Sequence, residues 1–187
     1  MPRKIIVFRD GVGEQMREQI LSKEIGQFRE VINSFCNKTH VPELTLIVVN
    51  KRINQRIFLQ NRNSFENPQP GTIIDSKLVE NDNGNKTFDY FMVNQQTTQG
   101  CLTPVHYFCA LNESDDVSKQ ELEALTYNLC YMYSNWAGSV KVPAPVQLAH
   151  KIADYHHGFD SGSIRTGKVD KFKLAFVPEF QNLPTYL

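Results

Sequence analysis

The segment KIIVFRDGVG, Lys4–Gly13, decides the fold of this 187-residue chain. It begins with Lys4–Phe8, a short and almost continuous apolar run that is typical of a strand buried on both faces of a sheet. Gly11 and Gly13 end this run and allow a tight turn. Asp10 therefore lies at the rim of the sheet, which is where open α/β sheets bind their ligands.

The pattern then changes from strand to helix and back to strand. Apolar positions three to five residues apart predict a long helix over 14–36, and Leu44–Val49 predicts a second buried strand. Strand, helix and strand over this length indicate a βαβ unit, so we expect the two strands to be parallel. The chain carries no repeat and no clear domain boundary, which favours one α/β domain.

Further elements follow from the rest of the sequence. Ser118 with Glu121 three positions later indicates a capping box at the start of a helix that continues to about 135–138. Leu122, Leu125, Leu129 and Met132 lie on its predicted apolar stripe. Additional strands are predicted at 56–59, 88–93 and 105–111, a loop at 61–71, and a final helix at about 145–155.

Composition excludes several classes of protein. The chain has 20 Lys plus Arg and 20 Asp plus Glu, so its net charge of zero excludes a uniformly basic nucleic-acid protein but not a local basic surface. Its apolar runs are far too short to cross about 30 Å of hydrocarbon, so we expect no membrane association. The four cysteines have no CxxC spacing, and we expect reduced thiols in an intracellular protein of the cytoplasm, the nucleus or both.

The residues that could carry chemistry each have a structural alternative. Asp10 could bind a ligand at the strand end or cap the following helix. His150, in the final helix, could bind a metal or serve as a partly buried structural residue. The segment with Lys51, Arg52, Arg56 and Arg62 could neutralise a phosphate backbone or form a solvated loop. Acids at 113, 115 and 116 precede a helix, where capping explains them better than a paired-acid site does.

Several longer segments, in order, resemble the C-terminal half of a PIWI domain: IIVFRDGVGEQ, LTLIVVNKRINQRIF, PGTIIDSK, GCLTPVHYFCALNES and LTYNLCYMYSNWAGSVKVPAPVQLAHKIA. The Asn135-Trp136 pair, Lys51–Asn54, Gln147 and the terminal Tyr186-Leu187 resemble the Piwi clade of Argonaute proteins more than the Ago clade. This resemblance implies an RNase H-like α/β fold, a mixed sheet flanked by helices. It also implies a protein that cuts target RNA under the guidance of a small RNA in gene silencing.

The resemblance also implies a catalytic site. The family holds two divalent metals, Mg²⁺ or Mn²⁺, on an Asp-Glu-Asp-His tetrad, and carboxylates are the oxygen ligands that such cations prefer. Arg9-Asp10-Gly11 matches the motif of the second aspartate, and Ala149-His150 matches that of the histidine. The first aspartate and the glutamate are expected before residue 1. We therefore expect residues 1–187 to be a partial PIWI domain that does not cleave RNA alone.

The RNA contacts implied by the family fall on other residues. Lys51, Arg52 and Arg56 resemble positions near the guide backbone, while Lys141, Gln147 and Lys151 flank the final motif. The carboxylate of Leu187 would share a metal with the 5′ phosphate of the guide. The implied partners are thus a small guide RNA and a complementary target RNA. Two alternatives remain: a module that binds guide and target without cleavage, and an inactive truncated product.

Overall fold

The computed structural model describes residues 2–11, 20–36, 41–77, 79 and 82–160. The strands are β1 (Lys4–Asp10), β2 (Glu43–Asn50), β3 (Leu59–Asn61), β4 (Ser64–Glu66), β5 (Ile73–Ile74), β6 (Asp82–Asn83), β7 (Thr87–Met92) and β8 (Val105–Asn112). The helices are α1 (Ile25–Phe35), which a π-helical turn at Ile20–Glu24 precedes, α2 (Lys119–Leu129) and α3 (Ala144–Asp160).

A mixed sheet forms the centre of the molecule. Its strand order is β1-β2-β8-β7-β5, with β6 paired to β7, while β3 and β4 form a separate hairpin. β1 and β2 are parallel, as predicted, with Asp10 opposite Val49. All other pairs are antiparallel, so β7 runs in the same direction as β2. The carboxyl ends of β1, β2 and β7 therefore meet at one end of the sheet.

Helices cover both faces of this sheet. On one face, Tyr90 and Tyr107 pack with Leu122 of α2 and Val146 of α3. On the other face, residues such as Phe108 pack against Ile25 and Phe28 of α1. β2 is central, and its residues 44–49 are all buried because neighbours flank it on both sides. The layering is that of an α/β fold.

Three of the predicted elements differ from the structure. β1 is half-exposed rather than buried, because β2 is the one strand that pairs with it among the described residues. The strand predicted at 56–59 is wrong: residues 51–58 are irregular, and the guanidinium of Arg56 donates to the carbonyls of Ile53 and Gln55. Part of the predicted loop at 61–71 is instead the β3–β4 hairpin, since Leu59–Asn61 pairs with residues 64–66.

The predicted capping box of α2 is confirmed, and Leu122 of the predicted apolar stripe is buried, but the predicted end of α2 and the burial of Leu125 and Met132 are wrong. Ser118 Oγ accepts from the Glu121 backbone N–H at 3.3 Å, and the Glu121 carboxylate accepts from the Ser118 N–H at 2.8 Å. The helix ends at Leu129, six residues early, and Met132 is 69% exposed beyond it. The buried stripe instead runs through Lys119, Leu122, Glu123 and Thr126, at the spacing of one helix face.

The acids before α2 do not cap it. Glu113 pairs with Arg29, Asp115 with Lys86 and Asp116 with Lys4. They precede the N-cap, Ser118, by two or more residues, and their carboxylates form ion pairs with cations of other elements instead of accepting from the first N–H groups of α2. All four cysteines are free thiols. In the part of the chain that the structure describes, no helix combines the length and apolar character needed to cross a membrane.

Candidate metal and nucleic-acid site

Asp10 and His150 meet at the carboxyl end of β1, although 140 positions separate them in the chain. Asp10 Oδ2 lies 2.6 Å from His150 Nε2. A carboxylate oxygen and a ring nitrogen approach this closely when a proton lies between them, so Nε2 donates to Asp10. The contact arises because α3 packs beside β1 at the point where that strand ends. Both residues were candidates from the sequence, and the fold brings them together.

Lys51 completes a three-residue contact. It follows the last residue of β2, and its Nζ lies 3.9 Å from Asp10 Oδ1 and 3.5 Å from His150 Nε2. Since the Nε2 proton already faces Asp10, the ammonium of Lys51 acts on the pair through its charge rather than through a hydrogen bond to the ring. All three side chains are partly open to solvent, with 30–45% of their surface exposed.

The surroundings of Asp10 favour its ionised form. Burial raises the pKa of this carboxyl, but the hydrogen bonds from His150 and from the Gly11 N–H, together with the charge of Lys51, outweigh it. The net pKa of Asp10 therefore lies below its ordinary value, and Asp10 is a carboxylate at neutral pH. This is the state in which it could hold a divalent cation.

Gly11 is required here by close packing of the backbone. A Cβ at Gly11 would lie 2.7 Å from the Val49 carbonyl oxygen and would also overlap the Asn50 side chain. The Gly11 N–H donates to Asp10 Oδ1 at 2.9 Å. The missing side chain thus lets β1 leave the sheet beside β2 and aims Asp10 toward α3.

Two further cations lie beside this contact. Burial lowers the pKa of Lys141, and the positive charges of Arg56 and Lys51 lower it further. Lys51 and Arg56 are therefore near enough for their charges to act on Lys141, and we refer to Lys51, Arg56 and Lys141 as the cation cluster. Such a cluster is typical of a surface that binds phosphate groups.

The remaining predicted RNA contacts lie around the cluster. Arg52 is exposed in the irregular segment that follows β2. Gln147 is half-buried on α3, one turn before His150. Lys151 follows His150 and places its Nζ 5.4 Å from the centre of the Tyr133 ring, a cation–π geometry. Leu187, the predicted source of a metal-binding carboxylate, lies outside the described residues.

Asn94 is a residue that the sequence analysis missed. Its Nδ2 donates to the Tyr107 hydroxyl at 2.6 Å and to the Lys141 carbonyl, which ties the segment before α3 to the sheet. A polar cavity of about 240 Å³ opens beside it, lined also by Thr97 and Lys141. The available signal was its position shortly after β7, whose carboxyl end lies at the same end of the sheet as Asp10.

The donor atoms at this end fit part of a divalent metal shell. Asp10 offers a hard carboxylate and His150 an imidazole, two groups that bind such cations. Among the described residues, no group of three or more His, Cys, Asp or Glu side chains is arranged to hold a metal. The 2.6 Å contact leaves no space between the two donors, so a metal would bind beside this pair or separate it. Two donors are thus present, and further ligands are needed.

Comparison with known proteins identifies the family. Residues 1–159 match the Piwi domain family. Piwi-like protein Ago3 of Bombyx mori is 39% identical over 153 residues, which are 82% of this chain and 16% of that protein. The crystal structure of Drosophila Piwi aligns with a TM-score of 0.69 and 30% identity, over 82% of this chain and 20% of that one. Kluyveromyces polysporus Argonaute, solved with a guide RNA, aligns with a TM-score of 0.67 and 30% identity, over 81% and 19%.

These matches confirm the expected RNase H-like fold, a mixed sheet flanked by helices. The chain spans about a sixth of the length of the curated relatives that it matches. The matched range includes both Asp10 and His150. The chain therefore belongs to the Piwi domain family, which it shares with Piwi-like and Argonaute proteins.

Proposed function

We propose that this chain is part of a small-RNA-guided protein of gene silencing, one that binds a guide RNA and cleaves a paired target RNA. The observation that carries the proposal is the contact of Asp10 with His150, 2.6 Å apart, beside the cation cluster. An ionised carboxylate and an imidazole that meet next to surplus positive charge suit the binding of metal and phosphate together.

Asp10 and His150 have the metal-binding roles in this proposal. Asp10 contributes carboxylate oxygens, and His150 contributes a ring nitrogen, to ligands of Mg²⁺ or Mn²⁺. When bound, a pair of such cations would activate a water and stabilise the leaving oxygen of a phosphodiester. Gly11 holds the Asp10 carboxylate in place through its N–H. These residues position the reacting groups rather than form covalent bonds to RNA.

The cation cluster has the RNA-binding role. Lys51, Arg56 and Lys141 would contact backbone phosphates, and Arg52, Gln147 and Lys151 would extend this surface. Such contacts read the charge and shape of the backbone, whereas pairing with the guide supplies sequence specificity. The similarity to an Argonaute solved with a guide RNA supports this assignment. The RNA partners and the free thiols favour an intracellular site of action, in the cytoplasm, the nucleus or both.

A second function, guide and target binding without cleavage, fits one specific observation. Among the described residues, no group of three or more His, Cys, Asp or Glu side chains is arranged to hold a metal, whereas the tetrad implied by the family resemblance has four members. In the proposal, cleavage therefore depends on an upstream aspartate and glutamate in the intact protein. Residues 1–187 alone would bind RNA but would not cut it.

The test uses a protein that carries this chain together with the other family regions, loaded with guide RNA and supplied with Mg²⁺. We expect Asp10→Ala and His150→Ala each to lower the rate of matched-RNA cleavage by about a thousandfold or more, while guide binding persists. Lys86→Met, which removes a cation from the opposite end of the sheet, is the control. Cleavage by Asp10→Ala at the wild-type rate would contradict the assignment, and cleavage by residues 1–187 alone would contradict the need for further ligands.

A further inference from the structure

Lys51 is near both a carboxylate and another cation. On one side, its ammonium lies 3.9 Å from Asp10 Oδ1. On the other side, it is close enough to Lys141 to contribute to the lowered pKa of that lysine, as Arg56 does. Lys51 thus has one carboxylate, Asp10, that attracts it and one cation, Lys141, that repels it. In this arrangement Asp10 is the group that balances the charge of Lys51.

We propose that Lys51 takes the place of a metal cation on Asp10, and that metal binding releases it to contact RNA phosphate. This inference deepens the proposed function and rests on its metal and RNA sites. A divalent cation on Asp10 would add two positive charges at a carboxylate whose Oδ1 lies 3.9 Å from the Lys51 ammonium, and like charges this close to one another repel. Lys51 and the metal therefore compete for one carboxylate.

The side chain of Lys51 is able to make this change. It is one-third exposed, and a lysine has a flexible four-carbon stem with a compact charge at its end. Once displaced from Asp10, its ammonium would add a third unbalanced positive charge beside Arg56 and Lys141. A phosphate group is the ligand that relieves this excess. Metal and RNA would then each increase the affinity of the other, because coupling between two sites is reciprocal.

The first experiment measures Mn²⁺ binding to the 187-residue chain by electron paramagnetic resonance. We expect Lys51→Met to bind Mn²⁺ about tenfold more tightly than the wild type, because a competing like charge is gone. Lys51→Arg keeps the charge and should stay near the wild-type affinity. Lys86→Met is the matched control, since it removes a lysine from the opposite end of the sheet. Adding Asp10→Asn to Lys51→Met should abolish the tighter binding, which locates it at Asp10.

The second experiment measures the salt dependence of binding to a fluorescent single-stranded RNA, with and without Mn²⁺. For the wild type, Mn²⁺ should steepen the slope of log affinity against log salt by about 0.7, the value for one added phosphate contact to a single strand. For Lys51→Met the slope should not change with Mn²⁺. An equal increase in both proteins would overturn the proposed release of Lys51.

The two experiments separate this inference from the function on which it rests. Mn²⁺ affinity that Lys51→Met leaves unchanged or weakens, with RNA binding intact, would overturn the role of Lys51 alone. So would the absence of Mn²⁺ binding in the wild type and in Lys51→Met alike. Loss of RNA binding by the folded wild-type chain itself would instead overturn the proposed function. Circular dichroism of each variant establishes that the fold is intact.

Discussion

The two ends of the central sheet differ in how far their positive charges are paired with acids. At the end where β1 and β2 begin, which we call the paired end, acids and cations face one another. Lys86 lies 2.6 Å from Asp115, Lys4 contacts Asp116, and Arg29 contacts Glu113. At the other end, which we call the open end, Asp10 contacts Lys51 and His150, while the charges of Lys51 and Arg56 act on Lys141. Among the described residues, each cation named at the paired end contacts an acid, whereas Asp10 is the one carboxylate that contacts the cation cluster, so positive charge is in excess at the open end.

This difference teaches how to separate structural charge from functional charge. Ion pairs that close within the fold leave little to attract a ligand, and exposed pairs of this kind contribute only about 0–1 kcal/mol each to stability. Surplus charge that the fold does not neutralise costs stability and calls for a partner of opposite sign. Changes at three sites test this division, a fourth change tests an interior charge outside both ends, and all four share one measurement, the free energy of unfolding.

The largest expected effect is at the paired end, in Asn112→Ala. Asn112 is fully buried and makes four hydrogen bonds: its Oδ1 accepts from Thr45 Oγ1 and the Ser114 N–H, and its Nδ2 donates to the carbonyls of Asn85 and Val117. Their loss should lower the free energy of unfolding by about 3 kcal/mol, because buried partners are left unpaired. Urea unfolding measures this change. Asn61→Ala, at an exposed position, should change it by less than about 0.5 kcal/mol.

The second prediction concerns Glu123, which belongs to neither end. It is 5% exposed, and its Oε1 has no hydrogen-bond partner among the residues that the structure describes. Burial, followed by the nearby Asp75, raises its pKa to about 7, against the smaller opposing effect of Lys119. The folded state thus holds a proton that the unfolded chain releases at lower pH. Stability from this group is present below the ordinary pKa of 4.5 and is lost as pH rises through about 7.

Glu123→Gln should remove this pH dependence. The variant should match the wild type near pH 4 and exceed its unfolding free energy at pH 8 by about 2 kcal/mol, since no charge is then buried. Unfolding in urea at several pH values measures the difference, with the exposed Glu30→Gln as the control. A constant difference between the variant and the wild type at all pH values would contradict the prediction. The expected result would show that an unpaired charge in the interior can be a purely structural feature and need not indicate a ligand.

The sequence predicted the elements whose stabilising contacts are local or apolar. The strands β2, β7 and β8 are long buried runs, and the capping box of α2 is a local pattern, so both were predicted. β5 has two residues, and its place is set by pairing with β7, which no local pattern reveals. The β3–β4 hairpin, where a loop was predicted, has two fully exposed strands. Its sequence therefore lacks the alternation of apolar and polar residues that indicates a half-buried strand.

The candidate site divides in the same way. Asp10 and His150 stand in motifs that resemble those of a known family, so both could be found in the sequence. The role of Asn94 depends on the Lys141 carbonyl, 47 positions away, and an amide gives no charge signal. The acids of the paired end were interpreted as helix caps because their cations come from distant elements: Lys4 is 112 positions from Asp116. Contacts of this length are fixed by topology rather than by spacing.

The third prediction is Ser118→Ala, beside the paired end. This change removes the Oγ that accepts from the Glu121 N–H and donates to the Glu121 carboxylate at 2.8 Å. Loss of an N-cap should lower the unfolding free energy by about 1 kcal/mol. Ser118→Asp keeps an acceptor oxygen and should recover most of that stability. If Ser118→Ala lowered the RNA affinity of the folded protein, this result would contradict the assignment of RNA binding to the open end alone.

The smallest effect on stability, with the opposite sign, is expected at the open end, in Lys141→Met. Removing a cation that Lys51 and Arg56 repel should raise the unfolding free energy by about 0.5 kcal/mol or less, because solvent screens partly exposed charges. The same change should weaken single-stranded RNA binding about fivefold and reduce the salt slope by about 0.7, since one phosphate contact is lost. Lys86→Met, at the paired end, should leave the RNA affinity and its salt slope as they are. If Lys141→Met destabilised the protein and left RNA binding intact, Lys141 would be a structural residue, and excess positive charge would no longer distinguish the open end as the ligand-binding end.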